Sequence, residues 1–415
     1  MKVKKLILHD FRGIASMELQ FQDSVNVLIG ANGAGKSAIL DCLAIMLSRL
    51  VGRIRSTKKT GRFFSDYDIT NGKNETRNRI DVEIDRQNIS WMVTRSRKGA
   101  KKQRISNFEQ LSSVVDKIHS DFESDKELDF PLAVFYPVNR AVLDIPLRIR
   151  QRHEFDQLSA YDQALTGARN DFRLFFEWYR NREDLENELR VDDADYRDKE
   201  LEAVRGAITK LFPGSSDLRI RRKPLRMVVE KLGTEIIVDQ LSDGEKCQLA
   251  LAGDLARRLA VANPSLSNPL KGKGIVLIDE IDLHLHPAWQ RNVISVLTRT
   301  FPKCQFIVST HSPQIVSEVK NESIFILTRS NGDVAALHPE GAYGLDANRI
   351  LEDLMGVADR PRSIKEAIAK LFRQIDDGEY EIARITLEDL NGLIGSDPQL
   401  TRAGTLLRRK EIVGK

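Results

Sequence analysis

Gly30 to Ser37 reads Gly-Ala-Asn-Gly-Ala-Gly-Lys-Ser and follows directly on the apolar run Val25–Ile29. Glycines at that density let successive backbone N–H groups turn toward one centre. A helix opening at the lysine adds the positive end of its dipole. The result is a phosphate cradle, with Gly30, Gly33 and Gly35 shaping the turn. Lys36 is expected to reach the β- and γ-phosphates of ATP, and Ser37 to ligate Mg2+.

Two further stretches could complete that chemistry. Gly274–Glu280 is an apolar strand ending in Asp279 and Glu280. An acid at that point can hold Mg2+, which suits Asp279, and the carboxylate after it, Glu280, can polarise an attacking water. The same pattern also suits an ordinary strand-to-loop transition. Thirty-two residues beyond Asp279, His311 in Val-Ser-Thr-His-Ser-Pro closes another such strand, where an imidazole can sense a γ-phosphate. Leu241–Lys246 reads Leu-Ser-Asp-Gly-Glu-Lys. Ser242 and Glu245 there have capping-box spacing, and a capped helix start exposing Ser242 and Gly244 is also an anion site.

These residues need a sheet to bring them together, and the pattern supplies one. Lys2–Phe11 and 15–22 alternate like half-buried strands, 79–85 and 89–95 read as a hairpin across Arg86–Asn88, and 131–137 is another buried strand. From 155 to 212 the texture turns charge-rich, with Phe172, Phe175, Phe176 and Tyr179 on one helical face, which predicts helices forming a lid or arm. Strands resume at 218–239. The alternation then becomes strict: strand 274–280, helix from Pro287, strand 305–310, helix from Ser312–Pro313, strand 323–328. That is α/β winding with a parallel sheet. The tail from Asp346 reads as helical, with capping-box spacing at Ser363–Glu366 and a cap at Asp397–Pro398. The expected layout is 1–147 and 213–345 as two halves of one head, 148–212 as a helical insertion and 346–415 as a helical appendage.

The 415 residues are 41% apolar and 30% charged, an ordinary balance for a folded chain. No apolar run approaches membrane-spanning length and the N-terminus does not resemble a signal peptide, so no membrane role is expected. Cys42, Cys247 and Cys304 are widely spaced, which suits a reducing cytoplasm. The net charge of +4 is small, but basic residues cluster at 53–62, 97–104 and 219–226. Such clusters are solvated loops and strand edges or a nucleic-acid surface. His284 and His286 form an HxH pair with no third metal ligand evident.

Leu241–Lys246 resembles the signature motif of the ATP-binding-cassette superfamily in its soluble chromosome-maintenance and repair branch, which includes RecF-, OLD- and SMC-type heads. That family's order is phosphate loop, signature, Walker B acid with catalytic glutamate, D-loop and switch histidine. Here the order is Lys36, Ser242, Asp279–Glu280, Asp282 and His311. The resemblance implies an α/β P-loop head with a mixed sheet and an antiparallel β subdomain. It implies a head-to-tail homodimer in which Ser242, Gly244 and Glu245 meet ATP held by the partner, and Asp282 lies in the D-loop at the interface. Arg12, in Asp-Phe-Arg-Gly, and Asn32 match residues near the nucleotide in this branch. The family's glutamine loop has no clean match, and Asn139 in Phe135–Arg140 stands in its place.

Within the branch, Lys36 and Ser242 are 206 residues apart, wider than in transporter subunits, and the insertion is too short for an SMC coiled coil. The tail carries no acid-rich nuclease domain and no HNH-like cluster. Nearly the whole chain, its head motifs strongly and its tail more loosely, is similar to the stand-alone ATPases of Septu-type defence systems, which also accompany some retrons. That resemblance implies a separate HNH nuclease partner, with a reverse transcriptase and its RNA in retrons. A RecF-like ATPase using the basic clusters on DNA is the alternative reading. An autonomous nuclease is a third, with no catalytic cluster to recommend it.

Overall fold

The computed structural model describes residues 1–56, 60–99, 105–125, 128–138, 155–166, 172–330 and 333–413. Asn139 and the expected boundary at 147/148 lie outside them. The chain divides into two compact units, Met1–Ala347 and Asn348–Lys415.

The first unit opens with β1 (Lys2–Phe11), β2 (Ile14–Gln20), β3 (Val25–Gly30) and the long helix α1 (Lys36–Arg55). There follow β4 (Glu75–Ile84), β5 (Gln87–Ser96), α2 (Glu109–Ser124), β6 (Leu132–Tyr136), α3 (Phe172–Leu189) and α4 (Lys199–Leu211). Next come β7 (Ser215–Arg222), β8 (Leu225–Lys231), β9 (Thr234–Ile237) and α5 (Asp243–Ala262). The unit continues through β10 (Gly274–Ile278), α6 (Pro287–Thr300), β11 (Cys304–Ser309), α7 (Pro313–Val316), β12 (Ile324–Ser330) and β13 (Asp333–Leu337), and α8 (Ala347–Arg349) begins at its last residue.

The six-stranded sheet runs β13-β12-β3-β11-β10-β6. Its inner strands are parallel, with Ile278 opposite Val308 and Ser309 opposite Leu28, and only β13 runs antiparallel. Every residue of β6, β10 and β11 is buried, as a parallel sheet covered on both faces requires. Because β3 sits between β11 and β12, the carboxyl ends of β3, β10 and β11 emerge on one edge. In such sheets that edge holds the ligand.

A four-stranded antiparallel sheet, β2-β1-β4-β5, and a three-stranded one, β7-β8-β9, flank this core. The predicted hairpin turns at Asp85–Arg86 rather than across Arg86–Asn88: Ile84 already pairs with Gln87, and Asp85 and Arg86 take φ of 49° and 68°. A two-residue turn with both central residues left-handed matches the strand twist. The region 155–212 holds a 3-10 turn, Gln157–Tyr161, and the helices α3 and α4. Phe175 packs where a side chain on Gly253 would stand, with its ring 2.7 Å from that position, so α3 lies directly on α5.

One buried polar cluster ties α5 to the sheet. Asp254 accepts from the Tyr136 hydroxyl on β6 at 3.0 Å, from Arg257 at 2.9 Å and from Arg258 at 2.7 Å. Arg258 in turn donates to the carbonyls of Ala160 and Asp162. Burial alone would raise the Asp254 carboxyl, but the charges of Arg258 and Arg257 outweigh it and hold its pKa at about 2.

The second unit contains α9 (Arg362–Asp376), α10 (Tyr380–Ile394) and α11 (Pro398–Val413), closed around Ile368, Leu371, Ile375, Ala383, Leu390, Leu400, Ala403 and Leu407. Asp397 accepts from the Gln399 N–H at 2.8 Å, the predicted cap. The capping box predicted at Ser363–Glu366 does not form. The helix starts two residues earlier, with Pro361 at its N-cap, and Glu366 pairs with Arg362 at 2.7 Å instead.

Candidate active site

The phosphate loop is built as its glycines demand. Gly30, Gly33 and Gly35 have φ of 147°, 79° and 102°, and a side chain on Gly30 would lie 2.4 Å from the Leu327 carbonyl oxygen of the neighbouring strand. Gly35 is the N-cap of α1 and has no side chain to spend on the first-turn N–H groups, and no acid lies in that turn. The helix therefore presents backbone donors and a positive dipole end where an anion would sit, which fits a nucleotide's phosphates. Asn32 and Ser37 are exposed on this loop. Lys36 is 6% exposed and its Nζ donates to the carbonyls of Gly30 (2.8 Å) and Ala31 (3.1 Å). Burial lowers its pKa, while the charges of Asp279, Glu280 and Asp282 act against that shift. Those three carboxylates therefore lie within electrostatic reach of the loop lysine.

β10 ends at Ile278, and Asp279 follows, buried, with its N–H on the Tyr136 carbonyl at 2.9 Å. The hydroxyl of Ser309 donates to Asp279 Oδ1 and accepts from the Glu280 N–H at 2.7 Å. One serine thus fixes both acids from the adjacent strand. Glu280 takes φ of 48°, a left-handed conformation that a glutamate adopts only when its surroundings hold it. The Ile281 N–H on the Ser309 carbonyl (3.0 Å) supplies part of that hold. Asp282 turns back onto β11. Its Oδ1 accepts from the Thr310 hydroxyl at 2.6 Å and the His311 N–H at 3.3 Å, so it brackets the histidine's backbone. The expectation for Asp282 was an interface residue; within one protomer its carboxylate serves the histidine strand.

Asp279 and Ser37 are both hard oxygen donors, the type that suits Mg2+, and the described residues contain no cluster of three or more His, Cys, Asp or Glu that could hold a metal alone. A site of that kind takes its remaining ligands from phosphate and water. His286 accepts from the Ala288 N–H at 3.2 Å as the N-cap of α6.

In the signature turn, the capping box at Ser242 and Glu245 is complete. Glu245 Oε2 accepts from the Ser242 N–H (3.0 Å) and hydroxyl (2.9 Å), and Ser242 Oγ accepts from the Glu245 N–H (3.4 Å). Lys231 pairs with the other Glu245 oxygen. Burial pushes the Glu245 carboxyl up, but Lys231 and the Ser242 donors win and keep it below the usual range. Ser242 itself faces solvent. Gly244 has a second duty that the sequence did not disclose: a side chain there would lie 2.2 Å from the His284 carbonyl oxygen. The signature helix therefore sits against the backbone of the segment after Glu280, where His284 has φ of 63°. Gly244→Ala should force that contact apart at a cost of about 1–3 kcal/mol. A fall in turnover of tenfold or more with unchanged ATP affinity is expected, measured by steady-state hydrolysis and equilibrium binding; normal turnover would show that the contact is dispensable.

Arg12 has φ of 45° and a guanidinium held by Asp41 and Asp68, each at 2.6 Å. Although burial acts against the charge, these carboxylates raise its pKa. Asp41 lies on α1 just past Ser37, so Arg12 is anchored beside the phosphate loop. Asp41, Asp68 and Ser309 were not singled out from sequence. Ser309, a hydroxyl at the end of a fully buried strand, carried the clearest signal. The basic stretch on β7 is not a bare patch: Arg219 pairs with Asp217, Arg221 with Glu235, and Arg222 with Glu183 and Asp184.

The family described as "AAA domain, putative AbiEii toxin, Type IV TA system" matches residues 25–317. The "Retron Ec83 probable ATPase" of Escherichia coli is 32% identical over 87% of this chain and 77% of its own length. The "Septu protein PtuA" of Bacillus thuringiensis is 25% identical over 91% of this chain and 90% of its own. The SMC head domain from Thermotoga maritima covers 82% of this chain and 100% of its own at 19% identity, with a TM-score of 0.46. The phosphate loop, the acid pair and the histidine strand all fall inside the matched residues, and the chain belongs to this AAA-domain ATPase family.

Proposed function

We propose that the chain is an ATP-hydrolysing switch whose active form is a head-to-tail homodimer. The observation that carries this reading is the single sheet edge at which the glycine loop, Lys36, Asp279, Glu280 and the bracketed His311 strand converge. In this reading the loop N–H groups and Lys36 bind the β- and γ-phosphates of ATP, with Asn32 and Arg12 beside them. Glu280 orients and deprotonates the attacking water, and His311 contacts the γ-phosphate. Ser37 and Asp279 would hold Mg2+, which neutralises phosphate charge when bound. Ser242, Gly244 and Glu245 of one copy would close the site of the other, with Asp282 setting the histidine strand at that boundary.

The retron and Septu relatives support a place in bacterial defence. In this reading the chain works in the cytoplasm with a separate HNH-type nuclease. No helix among the described residues is long and apolar enough to cross a membrane. The RecF-like alternative rested on the basic clusters, and the ion pairs on β7 take one of the three, 219–226, away from it. The test is hydrolysis of Mg-ATP by the purified chain, with mass measured by light scattering. Turnover should be lost in Lys36→Ala, and a dimer should appear with ATP in Glu280→Gln. A chain that stays monomeric with ATP while hydrolysing it normally would defeat the proposal.

A further inference from the structure

Arg49, in the middle of α1, is a buried cation (2% exposed) whose Nε has no hydrogen-bond partner. Its Nη1 donates to the Thr60 carbonyl, and no ion pair to a carboxylate is found for it among the described residues. Its guanidinium carbon stands 3.8 Å from the centre of the Phe63 ring and 5.3 Å from that of Phe108. One turn on, Arg53 stands 4.4 Å from the Phe108 ring. Burial and the like charge of Arg53 push the Arg49 pKa down to about 10, so aromatic rings rather than carboxylates face these two cations among the described residues.

The stack is held in position. Gly52 and Gly61 let the loop before Phe63 lie flat on α1: a side chain on Gly61 would meet the Ser48 carbonyl oxygen at 2.2 Å, and one on Gly52 would meet Gly61 N at 2.7 Å. Arg62 N–H donates to Ser48 Oγ at 2.8 Å. Phe63 is therefore fixed with one face on Arg49, yet it is 65% exposed, and Ile105 nearby in the chain to Phe108 is 86% exposed. A rigid phenylalanine with a cation beneath it and water on its other face stabilises nothing by that face.

The surrounding sequence points to an occupant. Arg53–Ser65 and Arg97–Phe108 each contain five lysines or arginines and no acid, and the fold joins the two stretches through Phe63, Arg49 and Phe108. Arg55 and Arg62 are paired, with Asp162 and Asp41, whereas Arg49 and Arg53 have no carboxylate partner among the described residues. A polyanion alone would use the charge but not the ring. A nucleic-acid strand with unpaired bases uses both, its base on the ring and its phosphates on the cations.

We propose that Phe63, Phe108, Arg49 and Arg53 form a docking platform for single-stranded nucleic acid, separate from the ATP site. Phe63 offers the stacking face, Arg53 meets phosphate, and Arg49 supplies a positive field from below. The test is fluorescence anisotropy of the full chain with a labelled oligonucleotide of about 20 bases, as single-stranded DNA, single-stranded RNA and duplex DNA, over a range of salt. Phe63→Ala should weaken single-strand binding at least fivefold, Phe63→Trp should restore it, and Arg53→Gln should reduce the salt slope by about one. The DNA and RNA arms identify which strand is preferred. ATP binding measured on Phe63→Ala should be unchanged, which separates this proposal from the ATPase reading. Single-strand affinity indifferent to Phe63→Ala, or an equal loss of duplex binding, would overturn it.

Discussion

Glu280→Gln should cut ATP turnover by about 10²–10⁴-fold, the range a positioned general base contributes, while leaving ATP affinity intact. The substitution keeps the side chain's size and removes only its basicity. The features that set its backbone, the N–H on Ser309 Oγ and the φ of 48°, do not depend on the carboxylate. Asp279 also keeps its serine partner, so the Mg2+ position should survive. A protein that binds but cannot complete hydrolysis should accumulate as the ATP-bound dimer. Single-turnover hydrolysis, equilibrium binding and light scattering on the same preparation read all three consequences. Full turnover in this variant would move the base to another residue, and lost binding would assign Glu280 a structural role.

Much of this site was legible because its chemistry demands particular residue types at fixed places. A phosphate loop must have glycine where φ is positive, and Gly30, Gly33 and Gly35 are all there. Predominantly apolar runs marked β3, β10 and β11, since a strand covered on both faces need not alternate, and Asn26 and Gln305 are the polar exceptions. What stayed hidden depends on contacts between segments distant in sequence. Ser309 acts on residues thirty positions earlier, and the Gly244 constraint comes from a carbonyl forty residues later. Nothing in the local pattern around Asp254 announces that it will meet Tyr136 from β6. The same limit explains the basic clusters. Composition marked 219–226 as a candidate nucleic-acid surface, but α3 contributes Glu183 and Asp184 to neutralise part of it. The antiparallel β13 and the helix α2 were not anticipated: one is a short edge strand beside a parallel sheet, the other an amphipathic helix with only Leu111, Val114 and Val115 buried.

Ser242→Arg should abolish hydrolysis by a different route, leaving ATP bound at Lys36 and preventing closure by the second copy. Ser242 is exposed, so the larger side chain meets no crowding within its own protomer. Its cost there is the lost capping box, about 1 kcal/mol, which Ser242→Ala incurs as well. A thermal melt of both variants therefore separates destabilisation from obstruction: similar melting with hydrolysis lost only in the arginine variant locates the effect at the interface. The decisive measurement mixes two inactive chains. In a dimer of Ser242→Arg with Lys36→Ala, one site combines both defects and the other is built from an intact phosphate loop and an intact signature. Random pairing of equal amounts should restore about a quarter of the wild-type rate, because half the dimers are mixed and each has one sound site. A site completed within one chain predicts no recovery at any mixing ratio. That contrast tests whether Leu241–Lys246 faces a partner, which no stability or binding measurement on a single variant can do.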